Sequence, residues 1–173
     1  MKNFFIAIFC SLSCCAYAQF SADFEPGNLN GWTQVPAGHW DASTVSALSG
    51  NYSLKYLFNN PVVYRPLGAL PVNKGNTTWR FLLRHGNNPI PLNKWAVFLF
   101  SNNAGSEWKS DGVYEGYALG VNMATPTSSD TLTLYAVQNN RFTIIRKTTV
   151  NWEKDITTAG TGAVEVVRTG DGE

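Results

Sequence analysis

The stretch Asp23-Phe24-Glu25-Pro26-Gly27-Asn28-Leu29-Asn30-Gly31-Trp32 has an aromatic–acid pair, two turn glycines and a closing tryptophan, the pattern of a chain that bends and then anchors in a core. About two strands later, Leu48-Ser49-Gly50-Asn51-Tyr52-Ser53-Leu54-Lys55 answers it with a glycine turn running into alternating residues. Between and beyond them the chain repeats one theme: short apolar runs with period-two alternation, separated by Gly, Asn, Pro and Ser, with no sustained helical period. This predicts an all-β domain, a two-sheet antiparallel β-sandwich.

The strands follow from the alternation. In Thr78–Arg84, residues Trp79, Phe81 and Leu83 fall on one face and Arg80, Leu82 and Arg84 on the other. Trp95–Phe100 is apolar on both faces and is expected in the middle of a sandwich, covered by the opposing sheet on one side and by loops or a partner on the other. Tyr114–Asn122 is a strand thinned by Gly116 and Gly120. Thr131–Val137 and Arg141–Thr149 form a hairpin with Asn139-Asn140 at its tip, since asparagine accepts the positive φ of a tight primed turn. Ala163–Thr169 is the last of about eleven expected strands. The prolines at 61, 66 and 71 make residues 59–70 an edge or a crossing between sheets, because proline donates nothing to a ladder. Thr169-Gly170-Asp171-Gly172-Glu173 is a turn with no strand after it, so a closing strand is expected beyond residue 173 and the sandwich is expected to be truncated there.

Residues 1–18 read as a signal peptide: Lys2, an apolar run from Phe4 to Leu12, then the small residues of Ala16-Tyr17-Ala18. A run of about nine residues rises about 14 Å as a helix, too little to cross a bilayer. A secreted or cell-surface protein is expected, with residues 19–173 as one β-domain; lipoprotein processing at Cys14 or Cys15 is the alternative, against which the Leu-small-small-Cys context is poor. All 3 cysteines lie inside the leader, which removes disulfides and thiolate metal sites from consideration in the remaining chain. The remaining ~155 residues suffice for a single core, burying about 70% of the unfolded surface. Without Lys2 the 13 basic residues fall to the number of the 12 acidic ones, and no basic run follows a phosphate backbone or an anionic bilayer. Neither nucleic acid nor membrane insertion is expected.

Phe24-Glu25-x-Gly27-x-Leu29-x-Gly31-Trp32 paired with Ser49-Gly50-x-Tyr52-Ser53-Leu54 resembles the opening of jelly-roll carbohydrate-binding modules and related concanavalin A-like sandwich domains. The spacing from Trp32 through Arg84-His85-Gly86 and Trp95 to Trp152 resembles the N-terminal sandwich of secreted Gram-negative surface proteins that carry lamin-tail or C-terminal sorting domains. The resemblance implies neighbouring domains in a longer chain and a polysaccharide or glycan ligand. It also implies a structural Ca2+ bridging the first strand and the last, with Glu25 as the carried-over metal ligand, carbonyls near Asn51 assisting and the distal carboxylate supplied by Asp171 or by the strand expected beyond residue 173; calcium takes six to eight oxygens. The alternative for Glu25 is a solvated edge carboxylate. Asp130-Thr131-Leu132 resembles an O-glycosylation acceptor used in some of these bacteria, the alternative being a strand start after a polar turn.

Pyranose faces stack on aromatic rings, and the chain has 6 Trp, 7 Tyr and 10 Phe. Trp32, Trp79 and Trp95 lie in apolar strand patterns and are expected in the core. Trp40, opening a strand beside polar neighbours, and Trp108, in the polar run Ser106–Asp111, are the ligand-contact candidates, because loops at one end of a sandwich carry binding residues. Arg84 and His85 end a strand with donors suited to hydroxyls; the alternatives are an Arg84–Glu115 ion pair and a hydrogen-bonded structural histidine. The four Asn-Asn pairs are assigned to turns. Catalysis finds little support. Glycosidases of this sandwich type place their carboxylates on one face of a strand, whereas Glu107, Asp111 and Glu115 straddle a loop and a strand, and two histidines frame no triad. A noncatalytic carbohydrate-recognition module is therefore expected, against a structural spacer and, further off, a glycan hydrolase.

Overall fold

The computed structural model describes residues 19–58, 62–68, 70, 72, 75–85, 93–109, 111–124, 129–156 and 160–170. The signal-peptide reading, Pro61, Pro71, Gly86–Asn88 and Asp171 lie outside them. Among the described residues ten strands run in order: β1 (Thr33–Val35), β2 (Trp40–Ser43), β3 (Ser53–Tyr56), β4 (Val62–Tyr64), β5 (Thr77–Leu83), β6 (Trp95–Phe100), β7 (Gly116–Val121), β8 (Thr131–Gln138), β9 (Arg141–Asn151) and β10 (Gly162–Arg168). Every ladder among them is antiparallel. The chain is all-β, as the alternation predicts.

A four-stranded sheet of order β6-β7-β8-β9 forms one layer, and the pair β10-β5 lies against it. The core between them joins Leu119 and Val121 of β7 and Leu132 of β8 to Phe81 and Leu83 of β5 and Val164 of β10. Trp152 and Ile156, in a single π-helical turn (Trp152–Ile156) after β9, plug one end of this core. The layering is sandwich-like. On β5 the burial alternates as expected, with Trp79, Phe81 and Leu83 inward and Arg80 and Leu82 outward. Two further ribbons, β1-β4 and β2-β3, complete the described strands. The first accounts for the proline-punctuated stretch, which contributes only the three-residue β4.

Trp95–Phe100 is β6, the edge of its sheet. Both faces are nevertheless covered: Trp95 packs into the core with Trp152, and Phe98 packs on the opposite face with Tyr135, Val137 and Phe142. Its apolar character on both sides reports cover by neighbouring side chains, not a central position, so periodicity alone does not separate the two. The other sheet edge, β9, shows two register irregularities against β8 and carries Arg146 and Lys147, devices that discourage edge-to-edge pairing.

The hairpin tip is as expected, with Asn139 at φ 49° and Asn140 at φ 61° between β8 and β9. The β7–β8 connection is held by Asn122, whose Nδ2 donates to Asp130 Oδ1 (2.5 Å) and to the Asn93 carbonyl (3.0 Å). Thr131 begins β8 and its hydroxyl donates to the Ser129 carbonyl at 3.2 Å, while Asp130 is buried against Asn122.

Candidate functional site

The loop from Ser101 to Glu115 is built around one asparagine. Asn103 Oδ1 accepts from the Glu115 amide at 2.8 Å, and its Nδ2 donates to the Val113 carbonyl at 2.8 Å and to Glu107 Oε2 at 3.1 Å. Glu107 Oε2 also takes the Ala104 amide at 2.7 Å, capping a single 3-10 turn (Gly105–Glu107). Ser101 Oγ donates to the Glu115 carbonyl at 2.5 Å. From the hairpin tip, Asn140 accepts the Tyr114 amide (2.6 Å) and donates to the Gly112 carbonyl (2.8 Å). Such a loop is held rigid by side chain–backbone bonds, because turns leave backbone groups that no ladder satisfies.

The loop presents two surfaces. Asn102, Asn103, Glu107, Val113 and Glu115 line an open recess of about 320 Å3. Among the described residues the Asn102 amide and the Glu115 carboxylate make no side-chain hydrogen bond or ion pair. Lys109, the nearby cation, faces Asp111 at 3.7 Å. In the same loop, Trp108 stacks on Tyr114 (centroids 4.6 Å, 21°) and on Tyr64 of β4 (6.1 Å, 26°), and packs at right angles to Phe98 at 5.1 Å. All three stacked rings are half-buried.

Trp108 is thus where the sequence places it, in a polar loop, but its ring is already engaged by Tyr114 and Tyr64, which stack on it, and by Phe98, which packs at right angles. Trp40 is half-buried on the β2-β3 ribbon, edge-to-face with the exposed Tyr56 at 6.1 Å. Arg84 does not pair with Glu115. Its guanidinium donates to the Ser46 and Gly160 carbonyls and to Thr161 Oγ1, each at 3.3 Å, tying the end of β5 to two loops whose carbonyls occupy the donors that an ion pair would use. His85 is buried, 7% exposed, with its ring edge-on to Trp152 at 5.1 Å. Trp40, Arg84, His85 and Trp108 therefore do not converge on one site.

Tyr64, Tyr114, Asn102 and Asn103 are the residues that sequence reasoning misses. Assigning every Asn-Asn pair to a turn hides Asn103, whose side chain organises a loop. Tyr64 and Tyr114 carry no local signal, since their stacking partner comes from a different segment.

Glu25 lies elsewhere, beneath the loop at Gly50. Its Oε1 accepts the amides of Asn51 (2.9 Å) and Tyr52 (3.1 Å), and its Oε2 accepts the Asn51 amide (3.0 Å) and Asn51 Nδ2 (3.1 Å). Donation from Tyr52, opposed by partial desolvation and aided by Asn51, holds the carboxyl below its ordinary value. Calcium needs oxygen ligands, and what converges on this carboxylate is N–H. Among the described residues no three His, Cys, Asp or Glu side chains gather to hold an ion. The surroundings of Glu25 do not fit calcium. The same contacts physically join the two sequence motifs that predict the fold.

No protein-family model, no curated protein and no solved structure matches the chain.

Proposed function

We propose that the chain is a noncatalytic recognition module of jelly-roll, concanavalin A-like type, exported to the cell surface or medium, that binds carbohydrate and neighbours other domains of a longer protein. The observation that carries this reading is a single well-bonded loop that bears both Trp108 and Tyr114, stacked with Tyr64, and a recess lined by unengaged Asn102 and Glu115 side chains. A sugar has apolar C–H faces and a rim of hydroxyls, and it asks for an aromatic surface beside amide and carboxylate groups. Concave sites with a few convergent polar groups on a rigid loop are where such ligands bind.

Glycan-array binding followed by titration tests it. Binding to a neutral or amino sugar that falls at least about tenfold, a loss of about 1.4 kcal/mol, in Asn102→Ala and Glu115→Gln supports the reading. Silence across neutral, amino and acidic glycans removes it.

A second reading has its own observation. Val45, Tyr56, Leu57 and Phe58 are exposed around the β2-β3 ribbon, with Tyr56 and Phe58 each 57% exposed. Grouped apolar exposure of this kind suits contact with an adjacent domain. In that reading the module is a spacer, glycans fail to bind, and Tyr56→Ser with Phe58→Ser weakens association with the neighbouring domain.

A further inference from the structure

The calcium that the family resemblance implies and the donors around Glu25 disagree, and the geometry gives the reason. Gly50 has φ 62°, a conformation in which successive backbone N–H groups turn to one side and form a concave nest. The amides of Asn51 and Tyr52 and the side-chain amide of Asn51 all point into it. Three N–H donors, the Asn51 amide shared between both oxygens, converge on the Glu25 carboxylate and take up most of its acceptor directions. The N–H dipoles present their positive ends, which attract an anion and repel a cation. A Cβ at residue 50 would overlap the Glu25 carboxylate, so a larger residue there displaces the carboxylate from the nest as well as straining the positive φ. Gly27, at φ 68°, lets its backbone lie on the Tyr52 ring, where a Cβ would come within 3.0 Å of the ring carbon Cζ. Phe24, at φ 60°, turns its ring onto Trp32 at 5.6 Å. Left-handed backbone in a phenylalanine persists only where surrounding contacts compensate for it.

We propose that residues 50–52 form a carboxylate-binding nest whose resident ligand is Glu25, and that this internal anion ties the N-terminal segment to the turn before β3 without a metal, at the residue to which the resemblance assigns calcium. The bridge joins segments 26 residues apart in the chain. It needs no metal, and it leaves an anion site when the glutamate is shortened.

Chemical rescue tests it. Glu25→Ala lowers the melting temperature of the chain by about 2–4 °C, and sodium acetate, compared with sodium chloride at equal ionic strength, restores part of that loss by filling the empty nest while leaving the wild type unchanged. The wild-type melting temperature is the same in chelator and in millimolar-range calcium. Acetate acting no better than chloride on Glu25→Ala, or calcium raising the wild-type melting temperature, overturns the proposal. Should Glu25→Ala not fold, Gly50→Ala keeps the carboxylate but blocks the nest. Its lowered melting temperature is then unaffected by calcium if the nest is the bridge, and is restored by calcium if a metal site is.

Discussion

The indole N–H of Trp79, on β5, donates to the carbonyl of Leu99, on β6, at 3.1 Å, and its ring stacks on Phe100 at 6.0 Å and 16°. This bond crosses between the two layers and satisfies a carbonyl on the edge strand of the four-stranded sheet, where Leu99 is itself buried at 7% exposure. Trp79→Phe retains apolar bulk and the stack but leaves that carbonyl unpaired. The expected cost is about 1–3 kcal/mol. Urea unfolding of the two proteins checks it, and equal midpoints would show that water reaches the Leu99 carbonyl.

The β6–β7 pairing rests on a glycine. A Cβ at Gly120 would overlap the backbone carbonyl of Trp95 and press on Ala96, its ladder partner. Backbone cannot rotate out of the way as a side chain can, so Gly120→Ala must separate the strands. A loss of about 1–3 kcal/mol or more is expected. Hydrogen exchange checks the location, with protection falling first in Trp95–Phe100.

Acid should release the N-terminal segment. The Tyr52 and Asn51 amides keep the folded Glu25 carboxyl below its ordinary 4.5. The contribution is therefore complete above that value and is lost as pH falls through the lower folded one, when the protonated group no longer draws the amides. The wild type should exceed Glu25→Gln in melting temperature at pH 7, and the gap should close as the pH is taken well below 4.5. A gap that stays constant with pH would show that charge on Glu25 is irrelevant.

At the hairpin tip, position 140 should matter and position 139 should not. Both asparagines have positive φ, but only Asn140 also bonds the Tyr114 amide and the Gly112 carbonyl. Asn139→Gly is expected to be close to neutral, because glycine accepts the same backbone. Asn140→Gly loses the two side-chain bonds, and Asn140→Ala adds the left-handed penalty of about 1–2 kcal/mol. Thermal melts should rank the three in that order.

These cases mark what the sequence makes visible. Alternation on β5 and the Asn139-Asn140 turn depend on neighbours one or two positions apart, so they are legible directly. The link between Glu25 and Asn51 is legible in outline, as two motifs that answer one another, but the chemistry of the link is not: a carboxylate near a glycine turn fits a metal ligand or an amide acceptor equally until the N–H directions are known. The Trp108 environment is the least legible. Its partners Tyr64, Phe98 and Tyr114 come from β4, β6 and the loop itself, and only the fold brings them together.

Trp108 then has a structural cost that any binding experiment must separate from ligand contact. Its ring is half-buried between Tyr64 and Tyr114 and against Phe98, which in turn packs on Phe142 and Tyr135. Removing a fully buried Trp costs about 3–5 kcal/mol, and a half-buried one about half of that. Trp108→Ala should therefore destabilise the domain by roughly 2 kcal/mol and loosen its own loop, whereas Trp108→Phe keeps an aromatic face on Tyr114 and should cost about 1 kcal/mol or less. If the ring is also a sugar platform, Trp108→Phe weakens glycan binding while urea unfolding and near-ultraviolet circular dichroism stay close to wild type. A Trp108→Phe protein that binds normally, beside a Trp108→Ala protein that neither binds nor folds stably, would assign the residue to packing alone.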